Sequence, residues 1–199
     1  MTPSAEQSRK EALLENIIDY LRDKSISDLS FRTLAAALDV STFTLVYHFG
    51  TRTELVNEIV SSIVGTQTAD VRNDLAPTTF DEYVQQIKSS FDWIVLPRYR
   101  HLERLELEAS IANVLDSEAI EFTRSVYEGW VTSSVVVLQS FGIAEADAET
   151  HAKLLTNIFY GSQYDIVIND DEAATRAAFA VAVDMYGKQI QALIAAANE

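Results

Sequence analysis

Only three prolines, at positions 3, 77 and 97, and six glycines punctuate the 199 residues of this chain. A sandwich, a barrel or a βαβ series needs far denser turn chemistry than that. Helices are what remain, and the apolar residues fall at helical spacing. Leu13, Leu14, Ile17, Ile18 and Leu21 share one stripe and predict a helix over residues 5 to 24. Ser30 is placed to cap a short second helix carrying Phe31, Leu34, Ala35 and Leu38, and Ser41 to cap a third just after Asp39-Val40. Thr51 with Glu54, and again Thr79 with Glu82, have capping-box spacing; they predict helices running toward residue 74 and through Ile94. Breaks at Asp116-Ser117, Gly142 and Asn169 to Asp171 divide the rest into helices at about 98–113, 117–141, 145–168 and 171–197. The expected fold class is all-α with about nine helices, and 48% hydrophobic content supplies a sizeable core.

Composition removes several classes of function. With no cysteine there is no disulfide framework, thiolate metal site or thiol nucleophile. No GxSxG, P-loop, GxGxxG or HExxH is present, so the expectation is no enzyme, no cofactor and no metal; His101 and His151 stand isolated from each other. The N-terminus has mixed charge without a signal-peptide apolar run, and no stretch has membrane-span length, which predicts a cytoplasmic protein. The net charge of −15 opposes nucleic-acid binding at first sight. Most of it lies late in the chain, however: residues 1 to 60 carry −3 and the remainder −12. Within 29 to 53, Arg32 and Arg52 face only Asp39.

That segment, LSFRTLAAALDVSTFTLVYHFGTRT, has the pattern of a helix-turn-helix, in which one helix enters a DNA groove and its neighbour crosses the backbone. Leu34, Leu38, Val40, Leu45 and Phe49 can form the shared interior. Arg32, Thr33, Thr42, Thr44, Tyr47 and His48 then point outward, and all of them can hydrogen-bond to phosphates or bases. On pattern alone, an amphipathic helix pair inside a core fits equally well.

Leu34-Ala35, Leu38, Val40-Ser41, Thr44-Leu45, Tyr47-His48-Phe49-Gly50 and Glu54-Leu55 resemble the N-terminal signature of the TetR family of transcriptional regulators. The resemblance implies a three-helix DNA-binding domain at 1–50 and a ligand-binding and dimerisation domain at 51–199. It makes Ser41 to His48 the recognition helix, puts Tyr47 and His48 at the phosphate or groove edge, and has Thr51 and Arg52 anchor the next helix on the DNA backbone. Phe43 stands where the family usually has a small residue, and Val46 replaces a common aromatic. A bulky apolar group at 43 either meets a thymine methyl or stays exposed. The implied function is a repressor that a small-molecule effector releases from a palindromic double-stranded operator. The alternative is a ligand-binding protein of the same fold with a degenerate DNA-binding head.

Farther along, Phe179, Val183, Tyr186, Ile190 and Leu193 alternate spacings of four and three, and Leu155, Ile158 and Ser162 lie near Gly161 on the preceding helix. Periodicity favours an intrachain core for these residues. The family resemblance instead implies a homodimer interface of Leu155, Ile158, Ser162, Phe179, Val183, Tyr186 and Ile190. The middle helices are rich in rings with polar tips, which suit either core or pocket. The resemblance implies an effector pocket, for which Trp93, Phe122, Trp130, Phe159, Tyr160, Gln163 and Tyr164 are the candidates. In the basic run from Pro97 to Arg104, pairs from Arg100 to Glu103 and from Arg104 to Glu108 are expected over a bound acidic ligand.

Overall fold

Helices account for every regular element of the computed structural model, which describes residues 5–71, 77–117 and 119–197. In order they are α1 (Ala5–Tyr20), two 3-10 turns (Leu21–Asp23 and Ile26–Asp28), α2 (Phe31–Leu38), α3 (Thr42–Phe49), α4 (Arg52–Val71), α5 (Phe80–Val95), α6 (Arg100–Asn113), α7 (Ala119–Ser140), α8 (Glu145–Asn169) and α9 (Glu172–Ala197). No strand occurs among the described residues. Helix α1 ends four residues before the expected 24, because the chain tightens into a 3-10 turn at Leu21 and Lys24 is extended. The expected end of the fourth helix, near 74, lies outside the described residues.

The chain divides into two compact units, Met1–Thr66 with Arg104–Phe122, and Gln67–Glu103 with Thr123–Glu199. The unit that holds residues 1–50 therefore extends beyond the boundary expected at 50/51. Its side-chain chemistry explains why. Arg104 of α6 donates from Nη2 to the carbonyls of Leu21 (2.8 Å) and Arg22 (3.1 Å), and from Nη1 to that of Lys24 (3.1 Å). Arg104 also pairs with Glu108, whose Oε2 accepts from the Ile26 amide at 2.7 Å and from Ser25 Oγ at 2.8 Å. These bonds tie α6 to carbonyls where the chain leaves α1. The core beneath consists of Ile17, Leu21, Leu34, Leu45, Leu55, Ile59 and Leu105, all sealed from solvent.

In the second unit the apolar faces of α5, α8 and α9 close on one another and on the later part of α7. Phe91 and Phe179 stack with centroids 3.7 Å apart, and Phe159 meets Phe179 edge-on at 5.3 Å. The buried hydroxyls of Tyr83 and Tyr186 share a 3.2 Å hydrogen bond, so burial raises both phenols above their ordinary pKa without leaving either oxygen alone. Gly187 lies 3.6 Å from the Phe80 ring, measured from where a Cβ would sit.

Candidate nucleic-acid interface

Two capped helices and one left-handed residue build the candidate interface. Ser30 Oγ accepts from the Thr33 amide at 3.2 Å and starts α2; Ser41 Oγ accepts from the Thr44 amide at 3.0 Å and starts α3. Between them Asp39 takes φ 52° and ψ 44°, a left-handed cap that reverses the chain within three residues. Asp tolerates that conformation better than most side chains. Helix α3 stops at Gly50, whose φ of 67° and ψ of −117° suit a residue without Cβ. Leu34, Leu45 and Phe49 are buried as the pattern predicts, while Leu38 and Val40 are half-buried.

The nine residues predicted to meet DNA separate into two groups. Arg32, Thr42, Phe43 and Tyr47 are exposed on α2 and α3, with Phe43 77% and Tyr47 63% accessible. Half-buried His48 presents its ring edge-on to Tyr47, centroids 5.1 Å apart. The other four, of which Thr33, Thr51 and Arg52 are also exposed, are engaged with their own chain, as Tyr47 is. Thr33 and Thr44 hydroxyls lie 3.0 and 2.8 Å from the capping serines Ser30 and Ser41. Thr51 Oγ accepts from the Glu54 amide, and the Thr51 amide donates back to Glu54 Oε2 at 2.6 Å. Those bonds hold the Glu54 carboxyl below its ordinary pKa. Arg52 donates through Nε to the Leu29 carbonyl (3.0 Å) and through Nη2 to that of Ile26 (2.7 Å), so much of its fork positions the segment leading into α2. One participant escaped the sequence reading. Tyr47 Oη donates to Glu6 Oε1 at 2.7 Å across 41 residues, and this bond, then the Glu6 charge, raises the phenol's pKa. No local pattern could have paired them.

The candidates for an effector pocket are dispersed. Trp93 is buried and stacks on Tyr99 at 4.1 Å, and Phe159 belongs to the aromatic core around Phe179. Tyr164 is 60% exposed and cannot line an interior site as placed. Phe122 falls in the first unit and Trp130, half-buried, in the second. Tyr160 and Gln163 do belong together: Tyr160 stacks on Tyr127 at 5.8 Å, Tyr127 Oη donates to Asn157 Oδ1 at 2.7 Å, and one turn on, buried Gln163 reaches the Glu103 carbonyl at 3.4 Å. Glu103, expected to pair with Arg100, is buried and accepts from Gln67 Nε2 at 3.3 Å. Arg100 pairs with Asp170 instead, whereas the expected pair of Arg104 with Glu108 is present.

The expected dimer residues need correction. Leu155, Phe179, Val183, Tyr186 and Ile190 are buried in the chain's own core, where no second copy can reach them; Ile158 and Ser162 are half-buried. The apolar residues left exposed on these helices lie on another face: Leu154, Tyr164 and Ile168 on α8, and Val181 and Met185 on α9. The intrachain core that periodicity favours for these residues is where they lie, and the interface was implied by the family resemblance alone.

No family model matches the chain, and no curated protein matches it. Solved structures do. A TetR-family regulator from Rhodococcus sp., described as putative, aligns with TM-score 0.76 at 15% identity, covering 90% of this chain and 99% of that one. A TetR-family regulator from Cytophaga hutchinsonii aligns with TM-score 0.72 at 11% identity, covering 94% and 98%. A transcriptional regulator from Saccharomonospora viridis, solved in complex with choline, aligns with TM-score 0.64 at 15% identity, covering 94% and 95%. Aligning at these TM-scores over 90% or more of its length, the chain has the fold of the TetR-family transcriptional regulators.

Proposed function

We propose that this protein is a DNA-binding transcriptional regulator, a homodimeric repressor that a small-molecule effector releases from a palindromic operator. The observation that carries the reading is the α2–α3 pair: a tight turn at Asp39, two serine caps, a sealed interior and an outward face of Arg32, Thr42, Phe43 and Tyr47. In this reading residues 1–50 act as the DNA-binding head and 51–199 as the effector-binding and dimerising part. The exposed apolar residues Leu154, Tyr164, Ile168, Val181 and Met185 form the surface that a second copy covers, replacing the buried set that the family resemblance implied. The effector site centres on Tyr127, Tyr160 and Gln163, whose polar groups are already ordered by neighbours. The complex of the Saccharomonospora viridis regulator with choline supports an effector of small-molecule size. Effector binding favours a spacing of the two heads that no longer fits successive major grooves, and the coupling is the difference in effector affinity between the two states.

The test is titration of full-length protein with duplex DNA from the region flanking its own gene, at 50 and 150 mM salt, with Tyr47→Ala and Arg32→Ala as controls. Sequence-selective binding that both variants weaken supports the reading. No selective binding even at low salt replaces it with the second one, a small-molecule binder whose head no longer reads DNA. The Glu6 carboxylate against Tyr47, and the two carbonyls that engage much of the exposed Arg52 fork, favour that alternative.

A further inference from the structure

The outward face of α3 has an unusual chemistry for a helix that reads bases. Its eight residues, TFTLVYHF, contain no Arg, Lys, Asn or Gln, the side chains that recognise guanine or adenine by paired hydrogen bonds. Beside the exposed Thr42 and the half-buried His48, most of what it presents is apolar. Phe43 is 77% exposed, Val46 49% and Tyr47 63%, and their i, i+3, i+4 spacing puts them on one strip. Phe43 and Tyr47 are stacked, centroids 6.4 Å apart and planes 23° from parallel, so the strip is a preformed surface. The Thr44 hydroxyl is taken up by Ser41 and the Tyr47 hydroxyl by Glu6. An exposed Phe beside an exposed Val is a solubility liability unless something covers it.

Resting on the regulator reading above, we infer that α3 reads thymine C5-methyl groups through Phe43 and Val46, so that each operator half-site carries thymines at the positions facing this strip. The thymine methyl is the apolar feature of the major groove, and it distinguishes T·A from every other base pair there. Dimensions agree: Phe43 and Val46, three helical residues apart, are separated by a rise of about 4.5 Å, between one and two base-pair steps of about 3.4 Å each. Charge agrees as well. In a chain of net charge −15, residues 29 to 53 carry two arginines against one aspartate, the sign that a polyanion needs. Discrimination then comes from burial of methyl groups, with phosphate contacts setting register.

The experiment selects a tight-binding duplex from a random-sequence pool with full-length protein. Each thymine in the selected site is then replaced singly by deoxyuridine, which pairs identically but lacks the methyl. Affinities are measured by fluorescence anisotropy for the parent protein, Phe43→Ala and Phe43→Leu; Phe43 is so exposed that both variants fold. At one or two positions per half-site, deoxyuridine weakens the parent about fourfold. Phe43→Ala binds more weakly and is indifferent to deoxyuridine at a position that Phe43 reads, whereas Phe43→Leu keeps part of the effect. Sequence enrichment in which no deoxyuridine position costs the parent more than about 1.5-fold, or in which Phe43→Ala keeps the parent's sensitivity, overturns the inference and leaves the regulator reading intact. No enrichment over a Tyr47→Ala control overturns both.

Discussion

Glu108 should be among the most sensitive positions in the chain although it lies far in sequence from the reading head. Its Oε2 takes the amide of Ile26 at 2.7 Å and Ser25 Oγ at 2.8 Å, while Oε1 pairs with Arg104. Ile26 is 1% exposed, and its carbonyl is held by Arg52 Nη2, so this one residue is fixed at both ends. Glu108→Ala leaves the Ile26 amide without its acceptor, at about 1–3 kcal/mol, and deprives Arg104 of its charge partner, for about 1 kcal/mol more. The expected loss is about 3 kcal/mol, or roughly 6–12 °C in Tm. Glu108→Gln keeps an acceptor and should lose about a third of that. The pH dependence has a definite sign. Burial pushes the Glu108 carboxyl up, but the Ile26 amide, Ser25 and Arg104 together hold it below the ordinary value near 4.5. Its contribution is therefore complete above about pH 4.5 and lost as pH falls through the lowered folded-state value, so parent and variant converge in acid. Thermal and urea unfolding, with hydrogen exchange at the Ile26 amide, measure all of this. A Glu108→Ala protein within about 0.5 kcal/mol of the parent at pH 7, with Ile26 exchange unchanged, would refute the clamp.

Gly50→Ala should cost about 2–4 kcal/mol, since its backbone disfavours any side chain and the new methyl strikes the Glu54 carboxylate that caps α4; urea unfolding decides it, and a cost below 1 kcal/mol contradicts the geometry. Met185→Glu, at a position 66% exposed on the proposed second-copy surface, should convert dimer to monomer in sedimentation velocity while leaving helix content unchanged; persistence of the dimer moves the interface elsewhere. Glu6→Gln removes a negative charge from the Tyr47 hydroxyl but keeps an acceptor, and should tighten DNA binding about two- to fivefold at 50 mM salt; unchanged affinity means the contact does not oppose binding.

The fold was legible because its signals are local and agree with one another. Ser30, Ser41, Thr51 and Thr79 each stand one residue before a helix with the third residue onward returning the hydrogen bond to the cap, and the structure uses all four. What misled was the interface that the family resemblance laid over a row that periodicity favours as core. On α9, Phe179, Val183, Tyr186 and Ile190 form one apolar row and Val181 and Met185 another, and packing against Phe91 and Tyr83 selects the first as core. Arg52 misled for a related reason: its charge was visible, but the carbonyls of Ile26 and Leu29 that claim it lie 26 and 23 residues away. Tyr164 looked like pocket lining because it follows Phe159 and Tyr160, yet it emerges on the outer side of the same helix.

The proposed function requires so acidic a chain to hold DNA as a dimer, and the distribution of its ion pairs sets the terms on which it does so. Within the first unit, Lys10 is paired with Glu58, Arg22 with Asp19 and Arg104 with Glu108; Lys24 binds the Tyr20 carbonyl and Arg52 two others. Among its described basic residues, Arg9 and Arg32 are exposed with neither an ion pair nor a hydrogen bond. A dimer then offers at most about four such cations, and since each neutralised phosphate contributes about −0.9 to the slope of log K against log salt, the slope should be no steeper than about −4. A protein limited in this way must draw its selectivity from contacts that salt does not weaken, and Phe43, Val46 and Tyr47 are placed to make them. Anisotropy between 50 and 200 mM salt measures the slope. A value near −8 would mean that DNA breaks the internal pairs to recruit Lys10, Arg22 or Arg52, and the apolar strip would then be secondary to phosphate contacts in holding the operator.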